Sequence, residues 1–97
     1  MKSRQYIVTS ANSPLTIPLD YRGGPSGIGA TPAGAGDYTV EFSVTPLNEN
    51  LTLNPHAITD MTASTTAQQV ELGPATALIV TLNSGTSVTI DLTQSNV

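Results

Sequence analysis

The sequence predicts an all-β protein, a single antiparallel β-sandwich of jelly-roll or immunoglobulin-like type with about seven short strands. Three observations carry this reading. Tyr38 to Thr45 alternates apolar and polar residues for eight positions without a break, the period of a strand with one buried and one wet face. Ser87 to Thr93 alternates in the same way, with Val88, Ile90 and Leu92 on one side. No segment of useful length shows the helical period, while clusters of Gly, Pro, Asn and Ser recur between the apolar runs and mark turns.

Taken in order, Arg4 to Thr9 reads as a first strand, with Tyr6 and Val8 on one face and Ile7 on the other. Ala11-Asn12-Ser13-Pro14 is a turn cluster. Leu15 to Tyr21 alternates again, with Leu15, Ile17, Leu19 and Tyr21 inward. Pro18 cannot donate to a ladder, so this strand belongs at an edge or points its nitrogen to solvent. Arg22 to Gly36 is rich in Gly, Pro and Ala and offers a core little, so it is expected as a surface loop.

Tyr38 to Thr45 follows as the main strand, with Tyr38, Val40, Phe42 and Val44 inward. Residues 46–64 are punctuated by Pro46 and Pro55 and rich in Asn, an expected loop region. Leu51 to Leu53 and Ala57 to Met61 are short strand or turn candidates within it. Gln68 to Leu72 is a strand ended by Gly73-Pro74. Ala77 to Leu82 is strongly apolar and expected at the centre of a sheet. With the turn Asn83 to Thr86 and the run Ser87 to Thr93 it forms the best hairpin in the sequence.

The 97 residues suit one domain, 1–97, and show no internal repeat. Only 10% of residues are charged, and Thr, Ser, Asn and Gln supply the polarity instead. The net charge is −4, with Lys2, Arg4 and Arg22 the three basic residues. Phosphate backbones and anionic membranes are bound through clusters of Lys and Arg, so neither nucleic acid nor membrane is an expected partner. The chain has no cysteine, which removes disulfides, thiolate metal sites and thiol nucleophiles. The apolar run at Tyr6-Ile7-Val8 is too short for a signal peptide core or a spanning helix, and synthesis in the cytoplasm is expected.

Chemistry-bearing residues are sparse. His56 is the single histidine, and Asp60 is its nearest carboxylate in sequence. The acids Asp20, Asp37, Glu41, Glu49, Asp60, Glu71 and Asp91 are scattered, without calcium-loop spacing. Gly27-Ile28-Gly29 fails the dinucleotide pattern at its third glycine, and no Gly-Lys-Ser/Thr follows. Asn50-Leu51-Thr52 is a glycosylation sequon with no export signal to support it. No cofactor, metal or catalytic residue is expected, and an enzyme such as a small hydrolase is the remote reading.

The order of segments is more informative. Gln5-Tyr6-Ile7-Val8-Thr9 and Leu15 to Tyr21 precede the Gly-rich run. Asp37 to Val44 and Asn54-Pro55-His56 follow, and Pro74 to Val80 with Ser84 to Ile90 close the chain. This succession resembles small β-sandwich proteins of tailed-bacteriophage particles, over most of the chain. In such proteins a "YTVE" strand precedes an Asn/Pro loop, and a "PATAL" strand then pairs with a "SGTSVTI" strand. Members often carry an aromatic ahead of the His56 position, where this chain has Leu53-Asn54-Pro55.

The resemblance implies a virion structural component without enzymatic activity. The leading expectation is a capsid decoration or cement protein that binds the outer head surface and bridges major capsid subunits. A tail, collar or fibre-associated module or adhesin is the alternative. Expected partners are the major capsid protein or other virion proteins, with a homo-oligomer in prospect. The expected contacts are Lys2 and Arg4 in the N-terminal arm, Arg22, Gly24 and Ile28 in the 22–36 loop, and Asn54 and His56 in the 46–64 loop.

Overall fold

The computed structural model describes residues 2–19, 25–45 and 52–94. In these residues the strands are β1 (Lys2–Thr9), β2 (Leu15–Pro18), β3 (Ser26–Ala33), β4 (Tyr38–Ser43), β5 (His56–Ala57), β6 (Gln68–Leu72), β7 (Ala77–Leu82) and β8 (Ser87–Gln94). A 3-10 turn at Thr59–Met61 follows β5. The strands form two antiparallel four-stranded sheets, β1-β8-β3-β6 and β2-β7-β4-β5.

Pairing is nested. β1 pairs with β8, β2 with β7, β3 with β6 and β4 with β5. The first half of the chain thus lies against the second half like one long hairpin, rolled up so that β8 also meets β3 and β7 also meets β4. This is the strand order of a jelly roll. Each connection except β4 to β5 carries the chain from one sheet to the other.

The pleat sends alternate side chains into the space between the sheets. Val8, Ile28, Ala30, Val88, Ile90 and Leu92 enter from the first sheet, and Ile17, Tyr38, Val40, Leu78 and Val80 from the second. Met61, from the 3-10 turn, is also fully buried. Tyr38 is the largest of the fully buried side chains, and its hydroxyl donates to the Thr66 carbonyl at 2.8 Å. Tyr38→Phe should cost about 0.5–1.5 kcal/mol, the worth of one such bond. Urea unfolding measures it, and a loss near zero would mean that the Thr66 carbonyl finds another donor.

Several expectations change. The segment 22–36 is not one long loop, because Ser26–Ala33 is a strand between β8 and β6. Its inward positions Ser26, Ile28 and Ala30 are buried, so Ile28 is core and not a contact residue. β7 and β8 do not form a hairpin, since they lie in different sheets and the turn 83–86 carries the chain across the sandwich. The main strand ends at Ser43, and Val44, expected inward, is 55% exposed. Leu53 is not in a strand, while Ala57 to Met61 divides into β5 and the 3-10 turn. Tyr21, Arg22, Gly24, Pro46 and Leu51 lie outside the described residues. Pro18 does lie on an edge strand, β2.

Two of the sheet-to-sheet crossings touch. The β3–β4 turn and the β7–β8 turn meet at Asp37, whose carbonyl accepts from the Asn83 N–H at 2.9 Å and the Ser84 N–H at 3.2 Å. Ser84 Oγ donates to Asp37 Oδ1 at 2.6 Å and Asn83 Nδ2 to Asp37 Oδ2 at 3.2 Å. The two turns are therefore clasped at one end of the sandwich, where they prolong the β4–β7 pairing beyond Tyr38 and Leu82.

Candidate functional site

The residues expected to form a contact site do not converge. Lys2 and Arg4 are on β1, an edge of the first sheet, where Arg4 Nη2 donates to the Pro18 carbonyl of β2 at 3.2 Å. Its guanidinium carbon lies 5.8 Å from the centre of the Tyr6 ring, within cation–π range. Asn54 and His56 are exposed beside β4, at the far edge of the second sheet. The 3-10 turn next to them packs near β4 and β6, so the two groups occupy opposite flanks of the sandwich. The His56 ring sits 5.3 Å from that of Phe42, a tilted pair that shields a half-buried core residue.

A different feature stands out on the outer face of the first sheet. Strand pairing sets Gln5, Asp91, Gly29 and Gln69 in one row across the four strands, and Ser3, Thr93, Gly27 and Glu71 in the next. On β3 both outward positions in these rows are glycine. With no side chains there, the surface dips into an open trough of about 520 Å³ between β8 and β6. Its floor is the Gly27 and Gly29 backbone, and Asp91, Thr93 and Gln69 stand along it.

Asp91 is the charged residue of the lining, and its Oδ1 accepts from Gln5 Nε2 at 2.8 Å. The trough therefore offers a carboxylate, amides and hydroxyls, suited to hydrogen-bonding an inserted polar side chain or loop. It does not offer a nucleophile paired with a base. Among the described residues, no three carboxylates or histidines cluster as a metal site would require. None of the helices among the described residues is long and apolar enough to cross a membrane.

The glycines are not equivalent. A Cβ on Gly29 would stand 3.8 Å from the Asp91 Cβ, an ordinary contact, whereas one on Gly27 would meet Thr93 Oγ1 at 2.7 Å. A Cβ at Gly29 makes only ordinary contact, so Gly29→Ala should leave stability unchanged or raise it. The sequence signal for this trough was the alternation Ser26-Gly27-Ile28-Gly29-Ala30. It became legible only once β3 was placed beside Asp91 and Thr93. Compared with known proteins, the chain matches no family model, no curated sequence and no solved structure.

Proposed function

We propose that this protein is a structural component of a tailed-bacteriophage particle, a decoration or cement protein that docks on the outer head surface across major capsid subunits. The observation that carries the docking is the outer face of the first sheet, a four-stranded surface of hydroxyls, amides and two carboxylates dented by the Gly27/Gly29 trough. Such a face binds by shape and hydrogen bonds, and its carboxylates Asp91 and Glu71 call for donors on the partner surface. The sequence resemblance supplies the partner. The jelly roll is compatible with it, though that fold also serves lectins and cupins and so chooses no function by itself.

The alternative, a tail or fibre adhesin that binds sugars, is less well supported. The residues lining the trough include no aromatic ring on which a sugar face could stack.

The test adds purified protein to heads that lack it. Wild type is expected to bind saturably, in many copies per head, and to raise the temperature at which the shell opens. Gly29→Val, which raises side-chain atoms from the trough floor and is expected to keep the fold by circular dichroism, is expected to lose at least tenfold in affinity. Binding in only a few copies, or none, would overturn the head-surface assignment. Undiminished binding by Gly29→Val would move the contact away from this face.

A further inference from the structure

The free edge of β1 carries a pattern that the outer face does not explain. Thr9 N–H donates to Asn12 Oδ1 at 2.7 Å, and the Thr9 carbonyl accepts from Asn12 N–H at 3.2 Å. Asn12 Nδ2 donates to the Ile7 carbonyl at 3.1 Å. These groups point away from β8. Since alternate residues of an antiparallel strand face alternate sides, the backbone groups of Ser3 and Gln5 point the same way. Asn12 therefore brackets one end of the edge. The N–H groups of Ser3, Gln5 and Ile7 and the carbonyls of Ser3 and Gln5 remain open, with no strand of the described residues beyond them.

An open ladder is a template for another strand, and proteins usually blunt such edges. Here the other three are blunted: β2 has four residues and ends in Pro18, β5 has two, and β6 has five. β1 has eight residues, without Gly or Pro. It carries two charges, Lys2 at its first position and Arg4, and Arg4 is drawn toward the second sheet by the Pro18 carbonyl.

We propose that β1 pairs with β1 of a second copy, antiparallel about a two-fold axis at Gln5, joining two four-stranded sheets into one. The free groups themselves select this occupant and register. A strand that meets itself across a two-fold presents each open donor to an open acceptor. The pleat requires outward residues to oppose outward residues. With Gln5 opposite Gln5, Ser3 falls opposite Ile7 of the second copy, and every open N–H finds a carbonyl. The Ile7 carbonyl shares its second lone pair. Sliding the axis to Arg4 sets Arg4 directly against Arg4 of the second copy, like charge against like charge. Sliding it to Tyr6 sets Ser3 against Thr9, whose N–H Asn12 already holds.

Side chains agree with this register. Arg4 falls opposite Tyr6 of the second copy, so each cation meets a second aromatic ring and not the other cation. Ile7, 57% exposed in the single chain, comes to lie beside Ser3 of the second copy and is partly covered.

Sedimentation equilibrium should show a concentration-dependent species of twice the 10.0 kDa chain mass. Gln5→Pro removes an outward N–H while sparing the β8 ladder, and is expected to remain monomeric at the same concentrations with unchanged circular dichroism. Because the chain has no cysteine of its own, Gln5→Cys gives a clean crosslinking test. Residues directly opposite in a hydrogen-bonded pair have Cα atoms about 5.5 Å apart, within disulfide reach. Gln5→Cys should therefore form a homodimer on oxidation, and Gln69→Cys on the β6 edge should not. The crosslink decides the matter if Gln5→Pro fails to fold. A chain that stays monomeric at all concentrations, a dimer that survives Gln5→Pro, or a dimer that Cys at position 5 cannot crosslink would each overturn the proposal. Pairing of β1 with a strand of a different protein would show as the first of these.

Discussion

Ile28→Ala should destabilise the domain by about 2–5 kcal/mol, the range for truncating a buried aliphatic side chain. At about 4–8 °C per kcal/mol for a domain of this size, thermal unfolding should fall by roughly 10 °C or more. Ile28 is fully buried on β3, opposite Leu92 of β8 and Val70 of β6. It is the one large apolar side chain that its strand contributes to the core. Removing it leaves a void between two neighbouring strands that are themselves held in ladders and cannot close over it. Were 22–36 a surface loop, the same change would fall within about 0.5 kcal/mol of neutral. Denaturant unfolding separates the two outcomes. A loss below about 1 kcal/mol would remove β3 from the centre of the first sheet.

The contrast between β3 and β4 shows what the sequence could and could not convey. β4 announces itself because its inward positions Tyr38, Val40 and Phe42 are large and its outward ones polar. β3 obeys the same period, but Ser26, Ile28 and Ala30 alternate with Gly27 and Gly29, so composition reads as loop while geometry reads as strand. Its two glycines leave the open trough on the outer face. Pairing was hidden for a different reason. A short turn such as Asn83–Thr86 looks the same whether it returns the chain along its own sheet or hands it to the opposite one. In a jelly roll it does the latter. The candidate trough depends on that wiring, because Gly29, Asp91 and Gln69 come together only through β3-β8 and β3-β6 pairs remote in sequence. By contrast, the inward sets Val88/Ile90/Leu92 and Tyr38/Val40 needed no topology to be recognised, and all five are fully buried or nearly so.

Gly36→Ala is expected to cost about 3 kcal/mol or more, for two reasons that add. Gly36 has φ +138°, a conformation that side chains rarely adopt. A Cβ there would also run into the opposite turn, against the Ser84 carbonyl oxygen and within 2.6 Å of the Gly85 Cα. Both obstacles are backbone, so no rotamer change relieves them. To accommodate the methyl group, the β3–β4 and β7–β8 turns must separate, and the Asp37 bonds to Asn83 and Ser84 stretch with them. Gly34 supplies the control. Its φ is +73°, but nothing lies within 4 Å of where its Cβ would be, so Gly34→Ala should cost only the backbone term, about 1–2 kcal/mol. Thermal unfolding of the two variants gives a difference that combines the clash with the opposite turn and the larger backbone cost of φ +138° over φ +73°, so an excess beyond about 2 kcal/mol reports the clasp. If the excess is smaller, the turns are not held together. If it is larger, the contact between the crossings is a separate constraint on the sandwich, one that prolongs the β4–β7 pairing into the turns.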